Sequence, residues 1–267
     1  MSANIKSLRV RIKSVNSTLH LTKAMGLVAS SKMRKASESM MNGREYAEAV
    51  KLTVNMLAGL NECKNSPYMQ KKDGERTKII IIAGDRGLAG GYNANVFRLA
   101  KEFDNAEFIP IGKRACERFS KETVLCEGYS FDSAMALAKK LCSEFLNGDF
   151  DKLGIISTEY ISMLTQQAKI EYLLPIDDSN AVKVAGAIFE PNELTVLNDA
   201  IPEYIAGMII AKVKESFASE VSARRTAMDS AGKNATQMID DLQLKYNRAR
   251  QGAITQEITE IVAGAGK

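Results

Sequence analysis

Ile5-Lys-Ser-Leu8-Arg-Val-Arg-Ile12-Lys-Ser-Val15-Asn-Ser-Thr-Leu19 places apolar residues at alternating steps of four and three. The alternation continues well beyond this stretch. One seam runs Ile5, Ile12, Leu19, Gly26, Met33, Met40, Ala47, Val54; the other runs Leu8, Val15, Thr22, Ala29, Ala36, Gly43, Val50, Leu57. A mean period of 3.5 keeps such a seam turned toward one neighbour, so the pattern predicts a long helix in a left-handed coiled coil. The seam is uneven. Large side chains at its ends flank a middle of Thr22, Gly26, Ala29, Ala36 and Gly43. Small residues there bring helix axes closer and bury less apolar surface.

The partner is at the other end of the chain. Prolines occur at Pro67, Pro110, Pro175, Pro191 and Pro202, leaving 1–66 and 203–267 free of them. Proline inside a helix removes a hydrogen bond and costs about 3 kcal/mol, so proline-free arms suit long helices. The last arm has its own seam: Val213, Phe217, Val221, Arg224, Met228, Ala231, Ala235, Met238, Leu242, with a stutter at 217–221–224. Asp199 and Pro202 are the expected helix start. Ile254, Ile258, Ile261 and Val262 form a narrow apolar stripe near the end. A domain inserted between the arms returns the chain near its departure point, so the arms should pair antiparallel. The expected organisation is 1–66 and 203–267 as paired helices and 67–202 as a central domain.

Within 67–202, Lys78-Ile-Ile-Ile-Ile-Ala83 reads as a buried parallel strand. Further strands are expected at Phe108–Ile111, Leu153–Thr158, Ala168–Leu174 and Val184–Phe189. Helices are expected at Asn93–Phe103, Lys113–Lys121 and Asp132–Leu146. This alternation predicts a Rossmann-like α/β domain with a mainly parallel sheet. The whole chain is thus of mixed α+β and α/β class, a long antiparallel coiled coil plus a central α/β domain. The loop after the first strand, Gly84-Asp-Arg-Gly87-Leu-Ala-Gly90-Gly91, sits where a phosphate cradle would. Its spacing is not that of a dinucleotide fingerprint, and it lacks the lysine and hydroxyl of a P-loop. A tight strand-to-helix turn with glycines for close backbone approach is the favoured reading. Asp85, Arg86 and Asn93 are then pairing or capping residues.

Composition narrows the chemistry. The chain has 45% apolar and 25% charged residues, one histidine (His20), no tryptophan and a formal net charge of +4. A single histidine argues against a Ser-His-Asp triad, and there is no ligand cluster for zinc. Cys63, Cys116, Cys126 and Cys142 show no CxxC spacing and are expected to be reduced thiols. No apolar run approaches the roughly 20 residues of a membrane span, and the N-terminus lacks a secretory signal. Residues 1–37 hold eight Lys and Arg and no acid, which signals an acidic partner.

Three stretches, in order, resemble one family. Leu21-Thr-Lys-Ala-Met25-Gly-Leu-Val-Ala-Ser-Ser-Lys-Met33-Arg-Lys35, Gly84-Asp-Arg-Gly-Leu-Ala-Gly-Gly-Tyr-Asn93 and Tyr246-Asn-Arg-Ala-Arg-Gln-Gly-Ala-Ile-Thr-Gln-Glu-Ile-Thr-Glu-Ile-Val-Ala-Gly-Ala265 are similar to motifs of the gamma subunit of F-type ATP synthases. The resemblance spans essentially the whole chain. It implies a central rotor stalk, not an enzyme on its own and without a cofactor. The terminal coiled coil would turn inside a ring of alpha and beta subunits. The α/β domain would meet the epsilon subunit and the ring of c subunits. Turning would couple ion flow to ATP synthesis or hydrolysis. It further implies a peripheral position on the cytoplasmic face of a bacterial plasma membrane, or a processed organellar chain, with no direct membrane insertion.

The resemblance also implies contact residues for the alpha/beta head. Met25 matches the position that meets the lever region of beta. Arg224, Gln251 and Thr255 match polar positions that engage a beta-subunit loop. Ile258 and Ile261 would turn in an apolar collar, where non-directional contact resists rotation less than directional hydrogen bonds would. Gly26 departs from the family pattern, which often has a larger polar residue there. The cysteines do not form the regulatory dithiol of chloroplast relatives. Two other readings compete: a basic helical hairpin that binds nucleic acid, and a nucleotide-dependent enzyme built on the middle domain. The first 45 residues hold no aromatic that could stack on bases, which counts against nucleic acid.

Overall fold

A computed structural model describes residues 2–72, 74–120, 122–181 and 188–265. Its two longest elements are α1 (Ser2–Ala58) and α5 (Glu193–Ala265). Between them lie β1 (Thr77–Ile82), α2 (Tyr92–Ala100), β2 (Glu107–Ile111), α3 (Lys113–Phe119), α4 (Phe131–Asn147), β3 (Lys152–Tyr160) and β4 (Gln166–Leu174). The strand expected at Val184–Phe189 falls mainly on 182–187, outside the described residues. By contacts the chain divides into two units, Met1–Ser30 with Arg224–Lys267, and Ser31–Ala223.

The first unit is a pair of antiparallel helical segments. A methyl group placed on Gly26 would lie 3.7 Å from Met228 Cβ, and one on Gly232 would lie 3.7 Å from Thr22 Oγ1. Position therefore rises along α1 as it falls along α5. Leu19, Thr22 and Ala29 are buried on α1, as are Met228, Ala235 and Leu242 on α5, while Ile5, Leu8, Ile12 and Val15 are half-buried. The α1 seam is thus placed as its periodicity demands. On α5 one seam position is wrong: Met238 is 45% exposed, and Ile239 is the half-buried residue. Past the stutter the buried steps run 235–239–242. The expected 235–238–242 is off by one residue, which is about 100° of helix rotation.

Among the described residues, the second unit is layered on a four-stranded sheet of order β2-β1-β3-β4. β1 is parallel to β2 and to β3, and β4 returns antiparallel to β3. Ile79 and Ile81 pack with Val96 and Ala100 of α2 and Ala115 of α3. Ile80 and Ile82 share the other cluster, with Leu141 and Phe145 of α4, Leu57 of α1 and Ile205 and Ile209 of α5. Each fully buried isoleucine contributes about 1.5–3 kcal/mol. This is why β1 is apolar on both faces. α1 and α5 are antiparallel here too: Gly43 meets Lys214 and Ala211, and Gly207 meets Tyr46.

The start of α5 corrects the sequence expectation. The helix begins at Glu193, and Pro202 lies inside it. Asn192 caps it: its Oδ1 accepts from the N–H of Thr195 at 2.9 Å. Pro202 is tolerated in the third turn because Leu197, Ile201 and Ile205 around it are completely buried. By length and composition α5 also contains a stretch that could pass for a membrane span, which corrects the sequence expectation. More than half of that stretch is buried inside the protein, as in the core helix of a globular fold.

All four cysteines are buried free thiols. Cys116 lies on α3, Cys142 on α4 and Cys126 in the loop between them. Burial pushes the Cys126 thiol well up and that of Cys142 to about 11. Asp151, at the foot of β3, accepts from the backbone N–H of Arg76 at 3.0 Å and from its guanidinium Nε and Nη2 at 3.1 and 3.0 Å. Hydrogen bonding from Arg76 holds the Asp151 carboxyl below its ordinary value.

Two outcomes follow for stability. Gly26→Ala meets only ordinary contact and should raise helix stability by about 0.5–1 kcal/mol. Gly112→Ala should destabilise by about 2–4 kcal/mol, because φ there is +97° and the new methyl would sit 1.8 Å from Ala83 O. Thermal unfolding of both variants checks this pair. As for pH, a depressed carboxyl contributes stability that is complete above the unfolded value, about 3.9, and is lost as pH falls through the lower folded value. The unfolding midpoint should drop with acid in that window, and Asp151→Asn should flatten this part of the profile.

Candidate functional site

The glycine-rich loop is built as an anion cradle, and its occupant is part of the same chain. The backbone N–H groups of Asp85 and Arg86 donate to the two carboxylate oxygens of Glu220, at 3.2 and 3.1 Å. Glu220 sits on α5 and is 1% exposed. A methyl on Gly84 would stand 2.7 Å from Glu220 Cδ, so glycine is needed for the close approach of this carboxylate. Asp85 completes the loop from inside: its carboxylate accepts from the N–H groups of Lys113, Cys126 and Glu127 at 3.1, 3.0 and 2.8 Å. Asn93 Oδ1 accepts from the N–H of Gly84 at 2.9 Å. Arg86 reaches Glu127, which also pairs with Lys32.

A strand-to-helix turn of this kind can hold phosphate through backbone N–H groups. Here the Asp85 and Arg86 donors are committed to Glu220, so the arrangement gives no support to a nucleotide-dependent enzyme. Among the described residues no group of three or more His, Cys, Asp and Glu could hold a metal ion. Polar residues of α5 continue the contact along the sheet. Glu215 accepts from Tyr160 N at 3.0 Å and pairs with Arg44, and Ser216 Oγ accepts from Thr158 N at 3.2 Å.

All six contact residues carried over from the resemblance fall in the first unit. They form two groups. Met25 is half-buried and Arg224 is 9% exposed; both lie near the crossing of Gly26 and Met228. Gln251, Thr255, Ile258 and Ile261 lie far along α5, about 40 to 55 Å beyond Arg224 at 1.5 Å per residue. Gln251 and Thr255 are exposed, and Ile258 and Ile261 are 56% and 70% exposed. With Ile254 and Val262 they leave an apolar stripe open to solvent. Sequence reasoning missed a second apolar set, Leu21, Leu27 and Val28 on α1, all more than half exposed. Their signal was that they are large apolar residues lying off both seams. Lys6, Arg9, Arg11, Lys13 and Lys23 are exposed on the same segment.

The fold and this site define a mixed α/β protein built around paired terminal helices. The chain belongs to the ATP synthase family, whose model matches residues 4–266. It is similar to the ATP synthase gamma chain of Ruminococcus albus, 42% identical over 277 residues, with 97% of this chain and 96% of that one covered. The gamma chain of Christiangramia forsetii is 36% identical over 280 residues, covering 98% of each. In fold it is like a chain of the Euglena gracilis mitochondrial ATP synthase rotor in rotational state 1, at a TM-score of 0.65 and 16% identity, covering 95% of this chain and 100% of that one. The nucleic-acid-binding reading finds no support among these relatives.

Because Ile258 is exposed, Ile258→Ser should leave the thermal midpoint of the isolated chain nearly unchanged, within about 0.5 kcal/mol. A larger loss would mean that the stripe is covered within the chain itself.

Proposed function

We propose that this chain is the central rotor shaft of an F-type ATP synthase. It couples ion-driven rotation of a membrane ring to conformational change at the alpha/beta catalytic head, for synthesis or hydrolysis of ATP. The observation that carries this reading is the open apolar stripe at the end of α5, in a chain whose gamma-chain relatives match it from end to end. Apolar side chains left in water over about two turns call for a partner surface, and a smooth apolar contact permits turning.

On this reading 1–66 and 203–267 act together as the shaft and 67–202 as the domain that meets the epsilon subunit and the c ring. The subunit carries no catalytic residue of its own. Met25, Arg224, Gln251, Thr255, Ile258 and Ile261 contact the alpha/beta head. The basic face of α1 meets acidic loops of the ring subunits as an electrostatic bearing, sensitive to salt. The complex sits at the cytoplasmic face of a bacterial plasma membrane, and this chain is peripheral to it.

The chain should co-purify with alpha and beta subunits and raise their ATPase turnover. Arg224→Ala and Gln251→Ala should each lower that turnover about three- to tenfold, or about 0.7–1.4 kcal/mol. Assembly yield, measured in parallel, should fall less. Unchanged turnover in both assembled variants would remove these two contacts from the reading.

A further inference from the structure

The sheet order β2-β1-β3 reverses direction around β1, and the ends of β1 and β3 flank the crevice where open α/β sheets bind their ligands. In this protein one short segment of α5 fills that crevice. Glu220 takes the β1 loop, through Asp85 N and Arg86 N. Ser216 takes the end of β3, through Thr158 N, and Glu215 takes Tyr160 N. Ser222 Oγ donates to Met163 O at 2.8 Å, and Tyr92 OH, at the start of α2, donates to Ser216 O at 3.0 Å. Glu215, Ser216, Glu220 and Ser222 are each at most 4% exposed.

Apolar packing alone would let a helix slip or roll with modest repacking, because it has no direction. Hydrogen bonds to backbone groups of strand ends have direction and fixed origins. A screw motion of one residue, 1.5 Å and about 100°, would break every bond named above and leave buried polar groups without partners. We propose that residues 215–222 of α5, with Glu220 at their centre, are a torsional key. They lock the return helix in rotation to the α/β sheet, and the glycine loop is the socket that receives an internal carboxylate where other folds receive phosphate. Glu220 is a positioning residue, and its role rests on the rotor reading above.

The test uses the assembled synthase in sealed vesicles, with ions pumped per ATP hydrolysed as the readout. Glu220→Ala should keep ATP hydrolysis within about twofold of the parent and lower the pumping ratio at least threefold. Glu220→Gln, which keeps the shape and one acceptor, should fold as the parent does and lose less of the ratio. Formate, a small carboxylate, should raise the ratio of Glu220→Ala and leave the parent unchanged. A parent-like ratio in both variants would overturn the key. So would a loss of hydrolysis and pumping in strict proportion, which is the mark of a stability role only. If Glu220→Ala does not assemble, the Glu220→Gln ratio decides alone. No response to formate would overturn the anion socket. If the parent chain itself fails to stimulate the alpha and beta subunits, the rotor reading has failed, not the key.

Discussion

A buried carboxylate must have its lone pairs satisfied, and in this protein that need organises the middle of the chain. Glu220 reaches out from α5 into a sheet that α5 does not belong to. Backbone N–H groups just after β1 meet it there, and a glycine at position 84 lets them come close. Once those bonds form, the β1 loop has a fixed path. Asp85 can then gather the N–H groups of Lys113, Cys126 and Glu127, and the turn before α3 is set. Two carboxylates in series, Glu220 and Asp85, thus tie together three segments: the β1 loop, the start of α3 and residues 126–127. Truncating such a group is costly, because its partners stay buried.

The helical pair follows a different logic. Its α1 seam is buried or half-buried at every one of its positions from Ile5 to Leu57, since helix periodicity is a local property that a one-dimensional pattern can carry. The β1 run was equally legible: four consecutive isoleucines buried on alternate faces leave little choice but a central strand. What could not be read were contacts between residues far apart. Asp85 and Glu220 are 135 positions apart, and nothing near either one announces the other. The glycine loop is legible as a close-approach turn, but the group that approaches, Glu220, is not. Pro202 looks like a boundary in sequence, whereas Asn192, ten residues earlier, makes the cap. Tertiary burial of Leu197, Ile201 and Ile205 outweighs the proline.

The site residues divide in the same way. Ile258 and Ile261 are legible in sequence as an apolar stripe, and both are exposed. Arg224 was placed on a seam and is in fact nearly buried. Its value to a partner therefore depends on how much of the guanidinium the pair leaves uncovered. Leu21, Leu27 and Val28 enlarge the exposed apolar surface of the first unit beyond the six proposed contact residues.

The burial of all four thiols has a practical side. Cys63, Cys116, Cys126 and Cys142 are shielded from solvent, and burial pushes the thiols of Cys63, Cys126 and Cys142 away from the reactive thiolate form. A new cysteine placed at an exposed helical position would stand out against this silent background. Fluorophores, spin labels or surface tethers could then be attached at one chosen site, with the native cysteines left in place.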